Sequence, residues 1–348
     1  MIELTKVTKL YGTVIGVNEI DLVLEPGAYG LLGANGSGKT TLINLLTGQL
    51  KPSVGAVRVF QSDPWGQSNV RYRLGLCPAT DILYTNVTAF QFVRFLLELQ
   101  GINRLDSAEL ANNALDVVGL DDKDRNRPMG EYSRGMKQRA KLAQAIAHDP
   151  ELLILDEPFS GLDPVARHEM TTFLQDWVAS GKSVVVSSHI LHEVENIAQH
   201  YLLMNHGRLL AHGSTTEIRD LLADIPREVT LRCTDAVKLA GVLQYQECVE
   251  SVGVLDGNLG VIVRSTDANS LFDALPNWIT EHELNVTEVE SSDESLNWIF
   301  DTLLKMHFFN SKDGEVLQLD MPKTQHPLLL LFKFVALLFG LISRDDTI

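Results

Sequence analysis

Between Gly33 and Thr40 the chain reads Gly33-Ala34-Asn35-Gly36-Ser37-Gly38-Lys39-Thr40. This fits G-x-x-x-x-G-K-[ST], a pattern that arises by accident on the order of once per hundred chains of this length. Its chemistry is the gripping of phosphate. Gly33, Gly36 and Gly38 let backbone N–H groups, with those of Asn35 and Ser37, wrap β- and γ-phosphate oxygens. The following helix adds the partial positive charge of its N-terminus, and Lys39 adds a full one. Thr40 is placed to ligate Mg²⁺ through its hydroxyl, and Thr41 to bond a phosphate oxygen.

A second constellation follows the run Leu152-Leu153-Ile154-Leu155. Asp156 would stand at the end of a buried strand, where an unpaired carboxylate costs several kcal/mol unless a cation or donor meets it. Mg²⁺ is the economical partner. Glu157, next in line, is then placed to polarise an attacking water. A third polar tip, Ser187-Ser188-His189, closes Val184-Val185-Val186.

These residues need elements to position them. Ile20, Leu22 and Leu24 alternate with polar neighbours as a strand does, and Pro26-Gly27 turns the chain into a second strand, Tyr29 to Leu32. That strand runs into the glycine loop, and Leu42, Ile43, Leu45 and Leu46 then give helical spacing. From Thr88 to about His148 the pattern is helical. It opens with the capping box Thr88-Ala89-Phe90-Gln91 and the apolar stripe Phe92, Val93, Leu96, Leu99. A further helix is expected from Asp106 to Gly119, and a third carries Met136, Ala140, Ala143 and Ala147 behind the cap Ser133. The continuous apolar runs at 152–155 and 184–186 predict parallel strands buried on both faces. With the strand entering the loop, their tips would meet at the carboxyl edge of one sheet, where such folds bind ligands. After Gly213, the order of strands near Val229 and Val286, helices near Leu239 and Leu271, and a hairpin at Asp256-Gly257 predicts a small β-α-β-β-α-β domain.

Composition bounds the partners. The 348 residues carry 29 Lys plus Arg against 45 Asp plus Glu, a net charge of −16, which excludes binding dominated by nucleic-acid phosphates. Cys77, Cys233 and Cys248 are too dispersed for a disulfide framework or a zinc site, as expected in a reducing compartment. The N-terminus alternates apolar and polar residues at once, so no export signal is expected.

Tyr132-Ser133-Arg134-Gly135-Met136-Lys137-Gln138-Arg139, ahead of Asp156, resembles the signature of ABC transporter ATPase subunits. The resemblance runs from about Ile2 to Gly213. It takes in Ser160-Gly161-Leu162-Asp163, similar to the family's D-loop, His189, similar to its switch histidine, and Tyr11, where the family places an adenine-stacking aromatic. It implies an α/β P-loop NTPase fold over 1–213 with an ABC-type helical insertion at about 86–150. A small α+β, ferredoxin-like domain would follow at 214–305, and a divergent tail at 306–348. It also implies ATP and Mg²⁺ as ligands, catalytic roles for Lys39, Glu157 and His189, and metal contacts from Thr40 and Asp156. Asp163 would contact nucleotide, and two copies would sandwich ATP, Ser133 and Gly135 serving the partner's, on the cytoplasmic face of the cell membrane against a separate membrane permease of an export system; the alternatives are a non-transport ABC ATPase and a regulatory ATP-binding module whose turnover Ala79 impairs.

The sequence departs from the family in three places. Arg134 and Met136 replace a Gly and a Gln of the commoner signature, in the Tyr-Ser-x-Gly-Met form similar to exporter-type subunits. Ala79, in Leu76-Cys77-Pro78-Ala79, stands where the Q-loop ordinarily carries a Gln that approaches Mg²⁺ and relays ATP state to the membrane subunit. A methyl does neither, so slower or less tightly coupled hydrolysis is expected, with water or Asp81 filling the gap. Finally, the apolar segment 327–342, interrupted by Lys333, would reach about 24 Å as a helix, short of the roughly 30 Å hydrocarbon core. Docking on a protein surface, the permease included, lying in the membrane interface, and insertion are the three readings of that segment.

Overall fold

The computed structural model describes residues 1–80, 84–220, 226–265 and 267–291. The apolar segment 327–342 and the rest of the expected tail lie outside these residues. Strands β1 (Ile2–Tyr11) and β2 (Val14–Leu24) pair antiparallel, with alternation burying Ile20, Leu22 and Leu24. β3 (Ala28–Leu32) is buried at every position and leads through the glycine loop to α1 (Lys39–Leu46). Leu42, Ile43, Leu45 and Leu46 are buried on α1, each contributing about 1.5–3 kcal/mol of hydrophobic stabilisation. β4 (Val54–Val59) returns to β1, completing a three-stranded sheet in the order β2-β1-β4.

After α2 (Ser68–Tyr72) and β5 (Leu74–Cys77) comes the helical insertion: α3 (Ala89–Leu99), α4 (Arg104–Val117), α5 (Asp122–Arg125) and α6 (Arg134–Ile146). The capping box of α3 is present in both directions, Gln91 N–H to Thr88 Oγ1 and Thr88 N–H to Gln91 Oε1, each at 3.1 Å. The expected stripe is corrected. Ala89, Val93 and Leu97, four apart, form the buried face, while Leu99 is 67% exposed. α4 likewise begins before Asp106, because Asn103 caps it by accepting from the Leu105 and Asp106 N–H groups at 3.0 Å.

The chain continues through β6 (Leu152–Leu155), α7 (Pro164–Ala179), β7 (Ser183–Ser188), β8 (His200–Asn205), β9 (Arg208–Ser214) and α8 (Thr215–Asp220). The central sheet has the order β5-β6-β7-β3-β8-β9, parallel except for β9. β6 and β7 are buried throughout, and Leu32 of β3 lies opposite Ser188 of β7. The three polar tips are therefore neighbours. β10 (Arg227–Cys233), α9 (Ala236–Leu243), β11 (Val249–Val254), β12 (Gly260–Ser265), α10 (Ala268–Glu281) and β13 (Val286–Ser291) build an antiparallel sheet of order β11-β12-β10-β13. Val229, Leu231, Val261 and Val263 pack there with Leu239, Leu243, Leu271 and Leu275. This is the β-α-β-β-α-β arrangement expected from the sequence.

β5 is an edge strand, and its outer carbonyls need partners. α6 and the second residue past its end supply them. Gln144 donates to Leu76 O at 2.5 Å, and His148 Nε2 lies 3.1 Å from Leu74 O. Burial holds the His148 imidazole below the ordinary histidine range, the Leu74 carbonyl and Asp149 offsetting only part of that effect, and its Nδ1 is buried without a hydrogen-bond partner. The unfolded chain thus takes up a proton near pH 6.5 that the fold accepts only at lower pH. The stabilisation is full above about pH 6.5 and declines as pH falls through the folded pKa. Wild type should therefore lose more stability than His148→Gln, which keeps a donor for Leu74 O, between about pH 7.5 and 5.5. Urea midpoints across that range measure the difference; parallel slopes would show that His148 does not link protonation to folding.

Candidate nucleotide site

The loop between β3 and α1 is shaped by backbone contacts that only glycine tolerates. A Cβ on Gly33 would meet Ser37 Oγ at 2.4 Å and Met204 O at 2.5 Å, and one on Gly38, with φ +104°, would meet Gly16 O at 2.5 Å. The loop is tied down by Gly207 N–H to Ser37 O at 2.8 Å. Asn35 and Gly36 form its exposed crown. Gly38 occupies the N-cap of α1 without any side-chain cap, so the helix's first N–H groups face the loop's concavity.

Lys39, 5% exposed, sends its ammonium into that concavity, 2.7 Å from Gly33 O and 3.3 Å from Ala34 O. Its third partner is Glu157 Oε1 at 3.2 Å. Thr40 Oγ1 donates to Asp156 Oδ2 at 2.8 Å, and Ser187 Oγ donates to Asp156 Oδ1 at 2.6 Å. Asp156 is 3% exposed. Glu157 adopts φ +49°, a conformation uncommon for a residue with a side chain and found where a site over-determines it. Its N–H donates to Ser187 Oγ at 2.9 Å, and its Oε2 lies 2.8 Å from His189 Nδ1.

Lys39, Thr40, Asp156, Glu157 and His189 thus converge at one edge of the central sheet. Tyr11 is 44% exposed, which excludes a core tyrosine, and its hydroxyl lies 3.5 Å from Thr41 Oγ1. Its ring edge is so close to Gly16 that a Cβ there would stand 2.6 Å away. The signature residues have other neighbours. Ser133 caps α6 by accepting from Met136 N–H at 3.3 Å, and Gly135 borders a cavity of about 240 Å³ with Leu162 and Ala166. Asp163 caps α7, accepting from Ala166 N–H at 2.9 Å. The cap uses Oδ1 of its carboxylate. The Arg134 guanidinium packs where a side chain at Gly161 would be, which explains how the signature accommodates an arginine.

Two serines of the polar tip 187–189, to which the sequence assigns no role of their own, contribute here. Ser187 bridges Asp156 and Glu157, and Ser188 donates to buried Glu193 at 2.6 Å, which also meets Arg167 at 3.6 Å. The signal for Ser187 lies in its position: a hydroxyl that directly follows the apolar run Val184-Val185-Val186. Ala79 is exposed, and Asp81 lies outside the described residues.

These residues fit a triphosphate with Mg²⁺. Ser37 Oγ is buried with no hydrogen-bond partner, the glycine cradle admits no side chain, and the Thr40 and Asp156 oxygens are the hard donors that Mg²⁺ takes. Residues 17–160 match the ABC transporter family. The bacitracin transport ATP-binding protein BcrA of Enterococcus faecalis is 33% identical over 308 residues, covering 87% of this chain and 96% of that protein.

The chain belongs to the ABC transporter ATP-binding family. The daunorubicin/doxorubicin resistance ATP-binding protein DrrA of Streptomyces peucetius is 32% identical over 273 residues, 78% of this chain and 79% of its own. A solved structure of an ATP-binding subunit of an ABC transporter superposes with a TM-score of 0.58 at 26% identity, covering 64% of this chain and 93% of that one. As a member of this family the protein is an ATPase. Ser187→Ala should lower steady-state ATP hydrolysis by about 10–100-fold, because it frees both Asp156 and the Glu157 backbone. ATP affinity measured in parallel should change little; turnover within about twofold of wild type would show that the bridge is dispensable.

Proposed function

We propose that two copies of this chain close around two ATP molecules and thereby drive export through a permease made as a separate polypeptide. The observation that carries this reading is the division of the site within one chain. The phosphate loop, Asp156, Glu157 and His189 share one sheet edge, whereas Ser133 and Gly135 sit at the start of α6 among D-loop residues. The chain has one such loop and one such signature, so each ATP takes its second wall from the partner.

In this reading Lys39 and the loop N–H groups hold the β- and γ-phosphates, Tyr11 stacks on adenine, and Thr41 bonds a phosphate oxygen. Thr40 and Asp156 would hold Mg²⁺, which when bound neutralises charge on the transferred phosphoryl group. Glu157 accepts the proton of the attacking water, and His189, bonded to Oε2, fixes the carboxylate's orientation. Ser133, Gly135 and Asp163 act at the partner's nucleotide. Among the described residues no helix is long and apolar enough to cross a membrane; the seat of this chain is peripheral, on the cytoplasmic face against the permease, a reading supported by relatives named as transport ATP-binding proteins. A groove of about 390 Å³ beside Ala79, with Pro78, Thr80, Tyr84 and Phe92 on its walls, offers that partner a surface. The names of the relatives, bacitracin transport and drug resistance among them, support export.

Glu157→Gln should retain ATP binding, lose about 10²–10⁴-fold in turnover and accumulate as an ATP-dependent dimer in size-exclusion chromatography. Turnover at the wild-type rate would remove Glu157 as the base, and an ATP-loaded monomer would remove the sandwich. Ala79→Gln should raise ATP turnover about threefold or more, since it returns a polar group to the metal side. Unchanged turnover would show that residue 79 has no part in the chemistry.

A further inference from the structure

Gln138, Lys141 and Gln144 of α6 turn one row of polar side chains onto β5 and the segment that leaves it. Lys141 is 6% exposed, and its ammonium donates to Pro78 O at 2.9 Å and Thr80 O at 3.3 Å. Those two carbonyls bracket Ala79. Gln138 donates to Cys77 Sγ at 3.4 Å, and Gln144 to Leu76 O at 2.5 Å. The other side of the same segment holds the metal-side carboxylate, with Asp156 N–H donating to Cys77 O at 2.9 Å. Residues 76–80 are therefore bound to Asp156 on one side and to the signature helix on the other.

A buried ammonium is a costly way to cover a strand edge. A methionine, unbranched and only one atom shorter, would fill most of the space without the desolvation of a charge. What the ammonium adds is two directional bonds, from one point on α6 to the backbone on either side of residue 79. The Ala79 methyl makes no polar contact, so a connection between the nucleotide and the groove beside Ala79 has to run through the backbone. We propose that Lys141 is a positioning residue that makes α6 and residues 78–80 move as one body. Closure of the signature onto the partner's ATP is then transmitted to the groove beside Ala79. This rests on the sandwich reading above.

The test is hydrogen exchange by mass spectrometry on the full-length Glu157→Gln protein, with and without MgATP, alone and combined with Lys141→Met or Lys141→Arg. MgATP is expected to slow exchange across 133–140 in all three proteins. Across 76–80 it should slow exchange about tenfold in the parent and the arginine variant, and less than about twofold in the methionine variant. A methionine variant that transmits the slowing as fully as its parent overturns the role of Lys141, as does an arginine variant that transmits none. No slowing at 133–140 in the parent would instead overturn the sandwich, and this inference with it. Should Lys141→Met not fold, Lys141→Gln, which can still donate to a single carbonyl, is expected to transmit only part of the slowing, and full transmission by it would overturn the role equally.

Discussion

A carboxylate that ends one parallel strand and an ammonium that opens the helix after another, both buried, set the terms for everything around them. Asp156 and Lys39 are 3% and 5% exposed, and neither charge is tolerable there without compensation. The chain compensates them differently. Lys39 receives two loop carbonyls and Glu157. Asp156 receives two hydroxyl hydrogens, from Thr40 and Ser187. Dipoles alone neutralise a buried anion less completely than a cation does, so Asp156 keeps an unmet demand for positive charge, while the uncapped first N–H groups of α1 keep donors for an anion. A magnesium triphosphate answers both demands at once.

Sheet topology is what brings these groups within reach. β3 lies between β7 and β8, with β6 on the far side of β7, so residues separated by more than a hundred positions end on one edge. Parallel strands all deliver their carboxyl ends to the same side, and the switch from strand to loop frees side chains to point outward there. Glu157 shows the local cost of this arrangement. Its positive φ turns the carboxylate toward Lys39 and His189, and the bond from its N–H to Ser187 Oγ holds the turn in place.

Much of this was legible because it depends on local pattern. The glycine loop, the buried runs at 152–155 and 184–186, the capping box at Thr88 and the cap at Ser133 are each set by neighbours in sequence, and the structure carries all of them. What stayed hidden depends on partners far away in the chain. Gln138, Lys141 and Gln144 read as an ordinary polar helix face until β5 supplies the carbonyls they meet. Leu99 read as core because its spacing from Leu96 is helical, yet α3 packs through Ala89, Val93 and Leu97. Asn103 moved the start of α4 because a side-chain cap outranks the first acidic residue of a turn.

The two ends of the site also carry opposite electrostatic signs. At the sheet edge Asp156 and Glu157 concentrate negative charge around a single buried lysine. At the start of α6 there is no acid in the first turn, while Arg134 and Lys137 add to the positive end of the helix dipole. A cation there works against the macrodipole, by roughly 0.3–1 kcal/mol at an exposed position. Ser133 satisfies one N–H of that turn, and the remaining donors and both cations still present positive potential to whatever approaches. One chain therefore exposes a metal-seeking pocket at one place and an anion-seeking helix end at another. In the proposed sandwich, bringing the second against the first of another copy would place the triphosphate between them and relieve in a single contact an imbalance that each copy carries alone.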